Sequence, residues 1–98
     1  MNEPTRQEID ASSQPTVIEF GANWCGYCQA AQGDIVGLLA KNPGVRHVKV
    51  EDGPGRRLGR SFRVKLWPNL VFMKDGVVVK QLARPSAAEM RDGFAAIA

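Results

Sequence analysis

Two cysteines three positions apart, Cys25 and Cys28, are the residues of this chain best suited to chemistry. They stand in the run Trp24-Cys25-Gly26-Tyr27-Cys28 and are the only cysteines among 98 residues. A structural staple usually joins distant segments, which these two do not. A zinc knuckle needs two further ligands, and the chain offers one histidine, His47, and no second cysteine pair. The pair therefore reads first as a dithiol for thiol–disulfide exchange. That chemistry requires one thiolate that reaches a substrate sulfur and a second thiol that releases it. Residues 26–40 have the pattern of a helix opening just after Cys25, so unpaired N–H groups and the helix dipole favour its anion. Cys28 lies on the same side one turn deeper and is expected to be less exposed. Cys25 is thus the expected attacking nucleophile and Cys28 the resolving thiol; an inert pair at a helix start is the alternative.

Around them stand other candidates. Trp24, Gly26 and Tyr27 frame the nucleophile, and the two aromatic rings offer flat amphipathic surfaces for transient contacts. Glu19 interrupts the β-branched and aromatic run Val17-Ile18-Glu19-Phe20. A carboxylate in a strand covered on both faces is costly unless paired or neutral, and burial is expected to raise its pKa. Lys49 and His47, on the next strand, are its candidate partners, and His47 otherwise reads as structural or simply exposed.

These residues need a scaffold. Thr5-Arg6-Gln7-Glu8 has the form of a capping box, which predicts a short helix over residues 4–11. The run 17–20 suits a central strand. The helix at 26–40 carries its apolar stripe on Ile35, Leu38 and Leu39 and ends at Asn42-Pro43-Gly44, with a bend expected near Gly33. A second strand is expected over 45–50, with Val48 and Val50 on one face, then a short helix over 54–62 with Pro54 in its first turn. Strands over 70–73 and 77–82 flank Lys74-Asp75-Gly76, a strong hairpin signal. Ser86-Ala87-Ala88-Glu89 is a second capping box, ahead of Met90, Phe94 and Ile97 at amphipathic spacing. The order α, β, α, β, α, β, β, α predicts an α/β protein with a mixed sheet of about four strands between helices, in three layers α/β/α.

Length and composition bound the rest. The chain fits one domain, residues 1–98, with 1–15 as a short helix or arm. Hydrophobic residues make up 44% and charged residues 23%, close to globular averages, which argues against a disordered tail or a coiled coil. No apolar run approaches the ~18–20 residues a membrane helix needs, so no membrane association is expected. The first fifteen residues are polar and unlike a secretory signal, which points to a reducing, cytoplasmic setting. The net charge of +3 collects around Arg56, Arg57, Arg60, Arg63 and Lys65, after Arg46 and Lys49. This stretch is read as a solvated face, with steering of acidic protein partners as the alternative. Without interleaved aromatics or a groove-reading motif, no nucleic-acid partner is expected.

Taken together, the strand at 17–20, the motif Trp24-Cys25-Gly26-Tyr27-Cys28, and Trp67-Pro68-Asn69 ahead of Met73-Lys74-Asp75-Gly76 resemble the thioredoxin family over roughly residues 16–97. The resemblance implies the thioredoxin fold and a protein-disulfide reductase without a permanent cofactor. It also implies a monomer acting on protein disulfides and recycled by a thioredoxin reductase. It implies that Pro68 is cis and faces the cysteines, and that Trp67 offers backbone hydrogen bonds to an extended substrate. Glu19 would hold or remove the proton of Cys28. The sequence departs from the family pattern in several places. Tyr27 stands where proline is usual, Glu19 where aspartate is, and Gly33 at the helix-bending proline. Ala83 stands at a groove glycine, Trp67 replaces a smaller residue, and the family's first strand has no counterpart. The Gly26-Tyr27 dipeptide resembles that of periplasmic disulfide isomerases and pulls toward a less reducing couple. An isomerase or oxidant, a non-catalytic peptide-binding module and a metal or cluster site shared by two chains are the competing readings.

Overall fold

The computed structural model describes residues 3–98. Four strands form one sheet in the order β2-β1-β3-β4: β1 (Thr16–Gly21), β2 (Arg46–Glu51), β3 (Asn69–Lys74) and β4 (Val77–Ala83). β1 pairs with β2 in parallel and with β3 antiparallel, and β3 pairs antiparallel with β4, so the sheet is mixed as expected. Helices α1 (Arg6–Ala11), α2 (Gly26–Lys41), α3 (Arg57–Ser61) and α4 (Ala87–Ile97) cover it.

β1 is buried along nearly its whole length because both of its faces are roofed. Ile18 and Phe20 pack on one side with Ile9 of α1, Leu58 of α3, Val48, Val50 and Phe62. Val17 packs on the other with Ile35 of α2 and Met90, Phe94 and Ile97 of α4. Alternate residues of one strand thus feed two cores, which is the three-layer arrangement. Glu19 shares the Val17 face and so points toward α2.

Both capping boxes form. Thr5 accepts from the Glu8 N–H while the Glu8 carboxylate accepts from the Thr5 N–H, and Ser86 with Glu89 does the same. The hairpin turn places Asp75 at φ 54° and Gly76 at φ 74°, the positive region that the Asp-Gly pair tolerates. α2 runs as one helix through Gly33 and Gly37 to Lys41. One detail differs from expectation. Pro54 lies in the turn ahead of α3, not in its first helical turn, because α3 begins only at Arg57. As expected, among the described residues a helix and no strand precedes β1, so β2 is a sheet edge.

Candidate functional site

β1 ends at Gly21, and the chain turns through Ala22-Asn23-Trp24 before Cys25 caps α2. Cys25 adopts φ −78° and ψ 115°, and its Sγ accepts the N–H of Cys28 at 3.2 Å. This is the position at which a helix leaves N–H groups unpaired, so a sulfur anion meets donors there instead of carbonyls. Burial alone would push the Cys25 thiol up. Hydrogen bonds from the Cys28 thiol and from the N–H groups of Cys28 and Tyr27, with the charge of Arg84, outweigh it and bring the thiol below its ordinary value. Cys28 moves the other way. Burial, the hydrogen bond to Cys25, and the charges of Cys25 and Glu19 push it up to about 11.

The two cysteines do not differ in exposure as expected; each is 6% exposed. What separates them is their surroundings. Cys25 opens on a surface cleft walled by Trp24, Tyr27, Trp67, Lys65 and Arg84. Trp24 and Tyr27 are 75% and 61% exposed, and Trp24 meets Trp67 edge-on with ring centroids 5.4 Å apart. Cys28 instead lines a second cleft, of about 430 Å³, with Glu19, Gly21, Gln32 and Lys49. A Cβ built on Gly21 would lie 2.6 Å from Cys28 Sγ, so only glycine leaves the inner sulfur its space.

Glu19 is 1% exposed and fully engaged. His47 Nε2 lies 2.8 Å from Oε1, and Gln32 Nε2 donates to Oε2 at 2.7 Å. The same Gln32 nitrogen donates to the Cys28 carbonyl at 3.1 Å, and Lys49 Nζ donates to Gln32 Oε1 at 3.4 Å. The expectation that burial would leave Glu19 with a raised pKa is corrected. Burial does push it up, but the hydrogen bonds of His47 and Gln32 and the charges of Lys49 and His47 more than offset this, and the carboxyl titrates below its ordinary value. The parallel register, Val17 beside His47 and Glu19 beside Lys49, is what brings His47 within reach.

The Trp67–Pro68 peptide bond is cis, and Pro68 is buried. Trp67 is half-buried, with Nε1 donating to Asp52 Oδ2 at 2.9 Å; its carbonyl accepts from Arg84 Nε at 2.7 Å. One lone pair of the carbonyl expected to receive a substrate strand is thus already occupied. Ala83 ends β4 on the exposed edge, and Gly26 opens α2 beside the cleft. Of the basic stretch, Arg56 pairs with Glu51 at 3.1 Å on the surface, Arg57 and Arg60 are exposed on α3, and Lys65 alone reaches the Cys25 cleft. Gln32, Asp52 and Arg84 carry no sequence signal of their own; only the placement of their elements brings them to the site.

The thioredoxin family model matches residues 2–95. Thioredoxin Asp f 28 of Aspergillus fumigatus is 34% identical over 65 residues, covering 66% of this chain and 60% of that protein. The mitochondrial Thioredoxin-3 of Saccharomyces cerevisiae is 33% identical over 75 residues, covering 74% and 59%. The alignments therefore span about three fifths of those relatives. Among solved structures, thioredoxin 2 from Pseudomonas aeruginosa PAO1 in its reduced form superposes with a TM-score of 0.85 at 50% identity. That match covers 98% of this chain and 90% of the other.

Proposed function

The chain belongs to the thioredoxin family, and from that premise we propose that it is a thiol–disulfide oxidoreductase that reduces protein disulfides. One observation carries the reading: two adjacent thiols are driven apart in proton affinity, the outer one downward and the inner one up to about 11. Groups whose environments separate them this way are suited to sequential roles.

In the first step the Cys25 thiolate attacks one sulfur of a substrate disulfide. A mixed disulfide forms, the substrate S–S bond breaks, and the departing sulfur takes a proton from solvent. This step also removes the Cys25 charge and its hydrogen bond, two of the causes that hold Cys28 high. Cys28 then loses its proton more readily and attacks Cys25 Sγ. The Cys25–Cys28 disulfide forms, the second substrate thiol leaves, and two electrons have passed to the substrate. Glu19 acts on that proton. It lines the cleft that Cys28 faces and connects to the Cys28 carbonyl through Gln32. Trp24, Gly26, Tyr27 and Trp67 form the surface on which the substrate rests, with the buried Pro68 beneath the adjoining depression beside Tyr27 and Arg84.

A thioredoxin reductase would return the disulfide to the dithiol, and the protein would work as a monomer in the cytoplasm, where a reducing pool keeps such pairs open. The deciding experiment is the reduction potential of the Cys25–Cys28 couple in defined thiol buffers. The two roles differ widely in poise, at about −270 mV for thioredoxin and about −180 mV for protein disulfide isomerase. A value near the first is expected; a value near the second would replace the reductase reading with isomerase or oxidant work set by Tyr27.

A further inference from the structure

The cleft around Cys25 holds two cations and no carboxylate among the described residues. Lys65 enters it from the loop between α3 and β3, and Arg84 from the segment that follows β4. Neither belongs to an ion pair; among the described residues, the pairs within 4.0 Å are Arg6–Asp10, His47–Glu19 and Arg56–Glu51.

Arg84 is also held in place. Its backbone sits at φ 47°, a region that a long side chain enters only when the surroundings fix it. Its N–H donates to the Pro68 carbonyl at 2.8 Å, and its Nε donates to the Trp67 carbonyl at 2.7 Å. Its guanidinium carbon lies 4.0 Å from the Tyr27 ring centroid. Nε and one face of the guanidinium are thus spent on the protein, while the terminal nitrogens make no hydrogen bond with the described residues. A planar cation already stripped of its rotational freedom, with both terminal NH2 groups free, matches a carboxylate better than a mobile lysine does.

We propose that Arg84, with Lys65 in the same cleft, selects disulfides flanked by an acidic side chain in the protein substrate. This specificity rests on the oxidoreductase reading and refines it. A substrate half-cystine placed against Cys25 enters the cleft that both cations line, and the carboxylate of a neighbouring residue meets the Arg84 fork. The aromatic walls of Trp24, Tyr27 and Trp67 tolerate many side chains, so charge is what discriminates. Tyr27 enters as the surface on which Arg84 rests.

The test uses three otherwise identical peptide disulfides carrying Asp, Asn or Lys beside the half-cystine, with kcat/KM measured for the whole chain. The expected order is Asp above Asn above Lys, with about a three- to fivefold Asp-to-Asn ratio at low salt, the size of a well-formed exposed charge pair. Raising the salt should compress the ratio. In Arg84→Gln it should fall toward one, and in the double substitution Arg84→Gln, Lys65→Gln it should vanish. Using the ratio removes any change in Cys25 reactivity that the variants bring, because the Asn peptide reports that change alone. Equal rates for the three peptides, or a preference that survives the double substitution, would overturn the proposal while leaving the reductase reading standing. Failure to reduce any of the three would remove the reductase reading, and the specificity with it.

Discussion

The two clefts that meet at the cysteine pair are built on opposite principles. The outer one, around Cys25, is open, aromatic and cationic, and its side chains touch one another through faces and edges. The inner one, around Cys28, is a network in which Glu19 uses both oxygens, on His47 and Gln32, and Gln32 links it to the Cys28 backbone. The outer surface can meet many partners because flat rings and a lone guanidinium accept varied shapes. The inner network permits little change, since each buried polar atom there depends on a specific donor or acceptor. The outer sulfur opens on the aromatic cleft, while the inner one holds its proton more tightly. The two residues are equally exposed, at 6% each, so the difference between them lies in the surroundings of each sulfur.

The largest expected effect comes from removing the inner sulfur. Cys28→Ser should lower multiple turnover by roughly four orders of magnitude or more, the scale of losing one member of a catalytic set, while a mixed disulfide on Cys25 accumulates. Mass spectrometry of the substrate-treated variant would show the adduct. Its absence, with the Cys25→Ser variant instead carrying the substrate on Cys28, would reverse the assignment of the two roles.

Next comes Glu19→Gln. The resolving step should slow by about a hundredfold, the lower range for a positioned base, while alkylation of Cys25 at neutral pH stays nearly unchanged. Stopped-flow traces separating formation from decay of the mixed disulfide would read this; equal slowing of both steps would take Glu19 out of the mechanism. The same variant has a pH signature. Because the folded-state pKa of Glu19 lies below the ordinary 4.5, its contribution to stability is complete above that pH and is lost as the pH falls through the depressed value. Wild-type protein should therefore lose more stability on acidification below about 4.5 than Glu19→Gln does.

The smallest effect tests the space around Cys28. Gly21→Ala puts a methyl 2.6 Å from the inner sulfur, so either the strand end or α2 must give. A loss of about 1–3 kcal/mol in denaturant unfolding is expected, as for other overpacked sites, along with slower resolution. An unchanged midpoint would mean that Cys28 can move aside freely, and the inner cleft would be looser than its hydrogen bonds imply.

Much of this protein can be read along the chain, because the signals are local. Thr5 with Glu8 and Ser86 with Glu89 announce helix starts, since a cap and its return bond span only three residues. Asp75-Gly76 announces its turn through backbone preference alone. Cys25 and Cys28 announce an exchange pair by spacing, and the apolar stripe of Met90, Phe94 and Ile97 marks the buried side of α4. Even the four-strand mixed sheet follows from the order of these elements.

Tertiary structure decided whatever depends on neighbours remote in the chain. The direction in which Glu19 titrates was one such matter. The sequence shows a carboxylate entering a covered strand, but the sign of its shift hangs on His47, 28 positions away, and Gln32, 13 away. The setting of Trp67 was another. Its indole is tied to Asp52 and its carbonyl to Arg84, neither of which stands out by type or spacing. Arg84 itself reads as an ordinary charge after a strand, until the return of β4 beside β3 sets it over Tyr27. Local signals fix what a segment becomes because they act within a turn or two. Electrostatics and hydrogen bonds act through space, so their outcome waits on the fold.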